Sequence, residues 1–271
     1  MKNYVRIEKE NATYQELMSL RDNRTKRTQK QKFFVEGVQG IKDAINNKWQ
    51  IDSLIFTDFK NLSDWSKNVI TNTNCNKYEI SNELMNKLST KTDKSELIAV
   101  INMKNETFKI TSNENPFILL VDRPSKKENF GNIIRSADAF GVDCIFVTGH
   151  SIDIYDPVVI RTSMGSFFKM KIITLKSNEE ITNLYNLIKS KFKSSQFVAT
   201  SLQSNNDISN INFTKPTVLM IGNEAEGLNK FLNELADTSA KINMREGIDS
   251  LNIASATSIF LYTAYYQRKK F

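Results

Sequence analysis

Short apolar runs rich in β-branched and aromatic side chains alternate with amphipathic stretches along most of this chain. In its N-terminal part, residues 33–35, 51–56, 77–80 and 97–101 read as strands, because such side chains suit a pleated, half-buried surface. Residues 38–45, 62–70 and 81–88 place apolar positions at helical spacing, with Ser81 a suitable N-cap. This alternation predicts a small α/β module.

The pattern then repeats more cleanly. Residues 117–121, 144–147, 171–174, 197–199, 218–221 and 240–242 are continuous apolar strand candidates, the kind that suits a parallel sheet covered on both faces. Helices are expected over 132–140, 179–191 and 252–267, with another beginning at Pro157, where a proline fits the first turn. All four prolines (116, 124, 157, 216) and seven of the nine glycines fall in this second part, so the two regions differ in turn chemistry. The polar stretch 103–115 is the expected boundary, giving domains at 1–105 and 116–271.

Composition narrows the picture. At 271 residues the chain can bury a sizeable core, and no apolar run approaches the roughly 18–20 residues of a membrane helix. The polar N-terminus lacks the apolar stretch of a secretory signal, so a cytoplasmic address is expected. Lys plus Arg exceed Asp plus Glu by 37 to 30, a formal +7 that favours a polyanionic partner. Residues 21–32 (RDNRTKRTQKQK) concentrate six basic residues against one acid, which reads as a phosphate-contacting run or as a solvated face. Two distant cysteines and a single histidine, His150, argue against a zinc site. The lone histidine without a G-x-S-x-G also argues against a Ser-His-Asp hydrolase.

Three polar turns attached to apolar runs carry the candidate chemistry: residues 129–141 (NFGNIIRSADAFG), 221–228 (IGNEAEGL) and 242–253 (INMREGIDSLNI). Taken locally, Asn129 caps a helix or orients a turn, and Arg135 sits in the helix that follows. Arg161, in the segment after Asp156-Pro157, reads as an RNA or subunit contact or as an ordinary surface charge. The Gly-bracketed turn 222–227 can offer backbone groups to an adenosine or be a plain connection. It is neither a phosphate loop nor a dinucleotide fingerprint. Ser250 and Asn252 are both N-cap types, and the small side chains of Ala254, Ser255, Ala256 and Ser258 leave room for a loop to lie close.

In this order and spacing the three turns resemble the signature motifs of the SpoU/TrmH family of RNA ribose 2′-O-methyltransferases, a branch of the SPOUT superfamily. N-x-G-x-x-x-R maps to Asn129, Gly131 and Arg135, and G-x-E-x-x-G to Gly222, Glu224 and Gly227. I-P-M…S-L-N maps to Ile242, Met244, Ser250, Leu251 and Asn252, with Asn243 where the family usually has Pro. The resemblance spans residues 118–266. More loosely, the N-terminal part is similar to the family's ribosomal-protein-like RNA-binding module, whose F-x-x-E-G turn matches Phe33 to Gly37.

The resemblance implies an α/β fold: a C-terminal, trefoil-knotted parallel-sheet SPOUT domain preceded by a small α/β RNA-binding domain. It implies a homodimer that binds S-adenosylmethionine, with no metal, and methylates a ribose in RNA. Ribosomal RNA is the favoured target, transfer RNA the second choice, and a non-catalytic RNA-binding or ribosome-assembly factor of the same fold the alternative from another class. Asn129, Arg135, Glu224, Ser250 and Asn252 are the implied catalytic set, and Thr200, Gly222, Ile242 and Leu251 the cofactor contacts. Arg21, Arg24, Lys26, Arg27, Lys30 and Arg161 are the expected RNA contacts. Because a guanidinium stays protonated at ordinary pH, Arg135 is expected to stabilise developing alkoxide charge, with an RNA phosphate or water receiving the proton.

Overall fold

A computed structural model describes residues 4–91, 95–104, 114–149, 152–247 and 249–269. His150 and most of the expected boundary, 105–113, lie outside the described residues. In chain order the N-terminal elements are β1 (Val5–Ile7), α1 (Ala12–Asp22), α2 (Arg24–Lys30), β2 (Lys32–Glu36), α3 (Val38–Asn46), β3 (Ile51–Phe56), α4 (Asp64–Asn72), β4 (Asn76–Ile80), α5 (Asn82–Leu88) and β5 (Leu97–Asn102). There follow β6 (Phe117–Asp122), α6 (Lys127–Ala139), β7 (Cys144–Thr148), α7 (Pro157–Thr162), β8 (Ile172–Leu175), α8 (Asn178–Lys191), β9 (Gln196–Thr200), β10 (Thr217–Ile221), α9 (Lys230–Glu234), β11 (Thr238–Ala240) and α10 (Ile253–Arg268). Contacts divide the chain into two units, Met1–Asn105 with Asp153–Lys169, and Glu106–Ile152 with Met170–Phe271. Among the described residues, no helix is long and apolar enough to cross a membrane.

The first unit is built on a mixed sheet ordered β1-β4-β3-β5-β2. β1, β3 and β4 run parallel, while β5 is antiparallel to both β3 and β2. The charge run of residues 21–32 is ordered structure: it forms the end of α1, all of α2 and the start of β2. Apolar spacing alone passes over α1, yet Tyr14, Leu17 and Leu20 lie on one face and join Phe34, Ile55 and Ile98 in the core. Ser81 does cap α5, accepting from the Leu84 amide.

Asp153–Lys169 belongs to this unit although it lies in sequence between β7 and β8. Tyr155, Phe167 and Phe168 pack their rings against Phe33, at centroid distances of 4.9, 5.9 and 6.4 Å. Trp49 completes the cluster and donates its indole N–H to the Phe168 carbonyl at 2.9 Å. Gly165 is required here: its φ is +90° and a Cβ would lie 2.0 Å from the Asp43 carboxylate.

Arg27, expected from sequence to contact RNA, has a different role. It is buried, donates to the Leu20 and Arg21 carbonyls, and pairs with Asp153 at 2.7 Å and Asp156 at 3.6 Å. A guanidinium so enclosed has no face left for a phosphate. Arg21 is likewise engaged, with Asp22 and the carbonyls of Lys87 and Leu88.

The second unit holds a sheet ordered β11-β9-β10-β6-β7-β8, and every pairing in it is parallel. β6, β7 and β10 are buried along their whole length, as their unbroken apolar sequences predict. α6 packs against α10, and Arg268 at the end of α10 donates to the Asn115, Pro116 and Lys215 carbonyls. Burial pushes that guanidinium down to about 10.

Two of the boundaries that differ from the pattern reading bear on the candidate chemistry. α6 starts at Lys127, so Asn129 and Gly131 lie inside it rather than before it. The last strand ends at Ala240, and Lys241 makes only an isolated bridge to Asp207.

Arg27→Ala is expected to cost about 3–5 kcal/mol of stability, because it leaves two shielded carboxylates without their partner; urea unfolding measures it, and a loss below about 1 kcal/mol would contradict the buried-pair reading. A chain lacking residues 1–105 should bind the dye ANS and aggregate, since Tyr155, Phe167 and Phe168 lose their cover. A monodisperse, dye-silent fragment would show that this segment has another place to pack.

Candidate functional site

β10 delivers the chain to a turn that only glycine can begin. A Cβ on Gly222 would stand 2.2 Å from both the Gly227 carbonyl carbon and the Leu228 nitrogen, so the loop returns against its own start. Asn223 and Gly227 exchange backbone hydrogen bonds at 2.9 and 3.0 Å, and Gly227 adopts φ +70°. The Asn223 side chain folds the apex, its Oδ1 accepting from the Ala225 and Glu226 amides at 2.9 and 3.3 Å.

This folding aims Glu224 at the start of α6. Lys126, the N-cap residue, offers no side-chain acceptor to the helix. The Glu224 carboxylate instead braces the segment entering the helix, accepting from Ser125 N (3.2 Å), Ser125 Oγ (2.7 Å), Lys126 N (3.2 Å) and Asn129 Nδ2 (3.3 Å). A negative charge at a helix N-terminus is favourable through both its hydrogen bonds and the helix dipole. Desolvation works to raise the carboxyl pKa, but the donors, led by Ser125, outweigh it and hold Glu224 below the usual carboxylate range.

Asn129 links onward. Its Oδ1 accepts from Asn252 Nδ2 at 3.0 Å, while Asn252 Oδ1 caps α10 by accepting from the Ala254 amide at 2.9 Å. One hydrogen-bonded chain, Asn252–Asn129–Glu224, therefore joins the three turns singled out in the sequence. Of the two N-cap candidates, Asn252 is the cap, and Ser250 lies exposed beside it.

These groups border a cavity of about 680 Å³ at the C-terminal ends of β9, β10 and β11, which lie together on one side of β6 in the sheet. Thr200, Gly222, Ile242 and Leu251 line it together with Asn129, Glu224, Ser250 and Asn252. Its size falls within the range of sites that enclose nucleoside-sized ligands. The close approach at Gly222, which a Cβ would block, suits a cofactor held by main-chain groups. Among the described residues, no group of three or more His, Cys, Asp or Glu is arranged to hold a metal ion.

Arg135 stands apart from the rest of its expected set. It is exposed on α6 and does not line the cavity. Six residues along a helix rotate it about 120° from Asn129. Of the expected RNA contacts, Arg24, Lys26, Lys30 and Arg161 are exposed, and Lys30 pairs with Glu16 at 3.5 Å. Asp122 and Arg123, at the end of β6, carried no expectation from the sequence. Asp122 is fully buried and accepts from Thr148 Oγ1 and from both nitrogens of Asn229, and Arg123 reaches the loop after β10. The signal was an acid and a base at the buried end of a strand.

Residues 116–262 match the SpoU rRNA Methylase family, and residues 11–99 match the SpoU L30e-like domain. The chain belongs to the SpoU rRNA methylase family. It is 33% identical over 265 residues to a 23S rRNA (uridine(2479)-2′-O)-methyltransferase of Streptomyces viridochromogenes, covering 97% of this chain and 92% of that protein. The structure of the SpoU methyltransferase AviRb from that organism, in complex with AdoMet, superposes with a TM-score of 0.91 at 32% identity, over 96% of this chain and 99% of the other. An AdoMet-bound rRNA methyltransferase from Sinorhizobium meliloti gives 0.83 at 25% identity, over 96% and 98%.

Glu224→Gln should lower the melting temperature near neutral pH, because the carboxamide has a single acceptor oxygen and no charge. A carboxyl whose folded pKa is depressed contributes stability above its unfolded pKa and loses it as pH falls through the folded value. The gap between wild type and variant should therefore shrink on acidification, and a gap that is constant with pH would contradict the ionised-brace role.

Proposed function

We propose that this protein transfers a methyl group from S-adenosylmethionine to a ribose 2′-oxygen in RNA, with ribosomal RNA as its target. The observation that carries the reading is the Asn252–Asn129–Glu224 chain at the rim of the cavity lined by Gly222, Ile242 and Leu251. Relatives named as 23S rRNA 2′-O-methyltransferases support ribosomal over transfer RNA.

S-adenosylmethionine, when bound, supplies an electrophilic methyl group. The protein's task is alignment and charge management. Gly222, Ile242 and Leu251 hold the donor largely through the main chain, and Thr200 closes the strand-end side. Asn129 and Asn252 present orientable amides at the rim, each fixed by the other. Glu224, ionised and consumed by four donors, positions Asn129 and α6 and leaves proton handling to other groups. Arg135 stabilises negative charge as it develops on the 2′-oxygen.

Arg135 faces away from Asn129, so in this reading it works beside a second copy of the chain. Ile259, Tyr262 and Tyr266 form an exposed apolar stripe on α10, the helix that packs on α6, and support a homodimer through this face. The path through the loops after β10 and β11 is read as the trefoil knot that the resemblance implies. The first unit is assigned to RNA recognition through Arg24, Lys26, Lys30 and Arg161, the second to methyl transfer, and a cytoplasmic address goes with that substrate.

Arg135→Ala is expected to lower methyl transfer by about a hundredfold or more, with S-adenosylmethionine binding and sedimentation unchanged; turnover near wild type would remove its role. Mapping ribose methylation in total RNA from cells with and without the protein tests the whole reading. An unchanged methylation map would overturn it.

A further inference from the structure

We infer that Arg123 is a positioning residue that clamps the cofactor-side loop 222–227, and so sets affinity for the methyl donor rather than the rate of transfer. The inference rests on the reading of the cavity as a cofactor site, and its geometry is independent of that reading. Arg123 follows β6, and its guanidinium spans three groups. Nη1 donates to Glu226 Oε2 at 2.6 Å, Nη2 to the Gly227 carbonyl at 3.3 Å, and Nε to Asp122 Oδ2 at 3.1 Å. Its own carbonyl accepts from Asn223 Nδ2 at 2.6 Å. Both ends of the loop and its apex are thus tied to one residue.

An exposed ion pair alone contributes little, and Glu226 is exposed. Here the opposite end of the fork is seated on Asp122, a fully buried carboxylate already fixed by Thr148 and Asn229. That anchor removes much of the side-chain freedom that an isolated pair must lose.

The backbone is committed as well. Arg123 adopts φ +46°, unusual for a non-glycine residue and sustained only where surroundings over-determine it. Room for its side chain comes from Gly149, where a Cβ would lie 2.6 Å from Arg123 Cγ. Glu224 pulls the loop toward α6 while Arg123 holds Glu226, so the two acids of the G-N-E-A-E-G turn are fastened at separate points. Lysine, a point charge without a fork, cannot span the same three acceptors.

The test uses the full chain and its Arg123→Ala, Arg123→Lys, Glu226→Gln and Arg123→Ala/Glu226→Gln variants. Calorimetry with S-adenosylmethionine should show about tenfold weaker binding for Arg123→Ala, an intermediate loss for Arg123→Lys, and a double variant no worse than Arg123→Ala within about twofold. The KM for the donor should rise while kcat stays within about twofold. Hydrogen–deuterium exchange without cofactor should be faster across residues 222–228 in Arg123→Ala. Exchange at the wild-type rate would overturn the clamp, as would losses that multiply in the double variant or a fall in kcat at unchanged KM. A wild-type protein that bound no S-adenosylmethionine would refute the cofactor reading, and the exchange measurement would still decide the clamp.

Discussion

A carboxylate from one loop braces the entry to a helix that begins about a hundred residues earlier, and the geometry of the site follows from that contact. Glu224 accepts from the two amides that lead into α6 and from the Asn129 side chain, and turns Asn129 toward α10. Asn129 then accepts from Asn252, whose other atom starts α10. The position of Leu251 and Ser250 at the cavity follows from where α10 begins. Three loops that could wander independently are reduced to one hydrogen-bonded object. Each of its side-chain oxygens accepts at least one hydrogen bond, which is what makes such a partly buried polar chain stable rather than costly.

Placing Glu224 in that role changes how its chemistry is understood. A residue held ionised by several donors is poorly suited to accept a proton at neutral pH. Its charge serves the entry to the helix, and in the function we propose the reactive work falls to amides, main-chain groups and a guanidinium. Catalysis of this kind depends on alignment, and alignment depends on loop rigidity. Gly222 and the Asn223–Gly227 pairing supply it by folding the loop upon itself so tightly that no side chain fits between.

Much of this was legible in the sequence, for physical reasons that differ by element. β6, β7 and β10 were readable because a strand buried on both faces must be apolar throughout. The cavity-lining residues were readable through the resemblance of the three turns to the family's motifs; taken locally, those turns left caps and plain connections open. α1 and α2 were not readable, because their buried positions are sparse within a polar, charged stretch. Arg27 was misjudged for a related reason. A cation in a basic run looks solvated until Asp153 and Asp156, more than a hundred residues away, arrive to bury it. The same distance hid the membership of Asp153–Lys169 in the first unit, since Tyr155, Phe167 and Phe168 read as ordinary core positions of whichever domain contains them. Long-range pairing leaves no local trace.

The placement of Arg135 bears on the proposed homodimer. A guanidinium exposed on α6, turned about 120° from Asn129, contributes nothing to the cavity its own chain lines. For the charge-stabilising role we propose for Arg135, the guanidinium must lie within hydrogen-bond distance of the oxygen it serves, which calls for either a reoriented α6 or an oxygen brought to it from another surface. Reorienting α6 would break the Glu224 and Asn129 contacts that define the rim, and the cost of unmaking several paired, partly buried hydrogen bonds opposes it. Bringing a second copy to the apolar stripe of Ile259, Tyr262 and Tyr266 instead buries exposed hydrophobic surface and leaves the rim intact. With the role we propose for Arg135, burying that stripe against a second copy is the less costly of the two routes, and this is the physical case for the proposed homodimer.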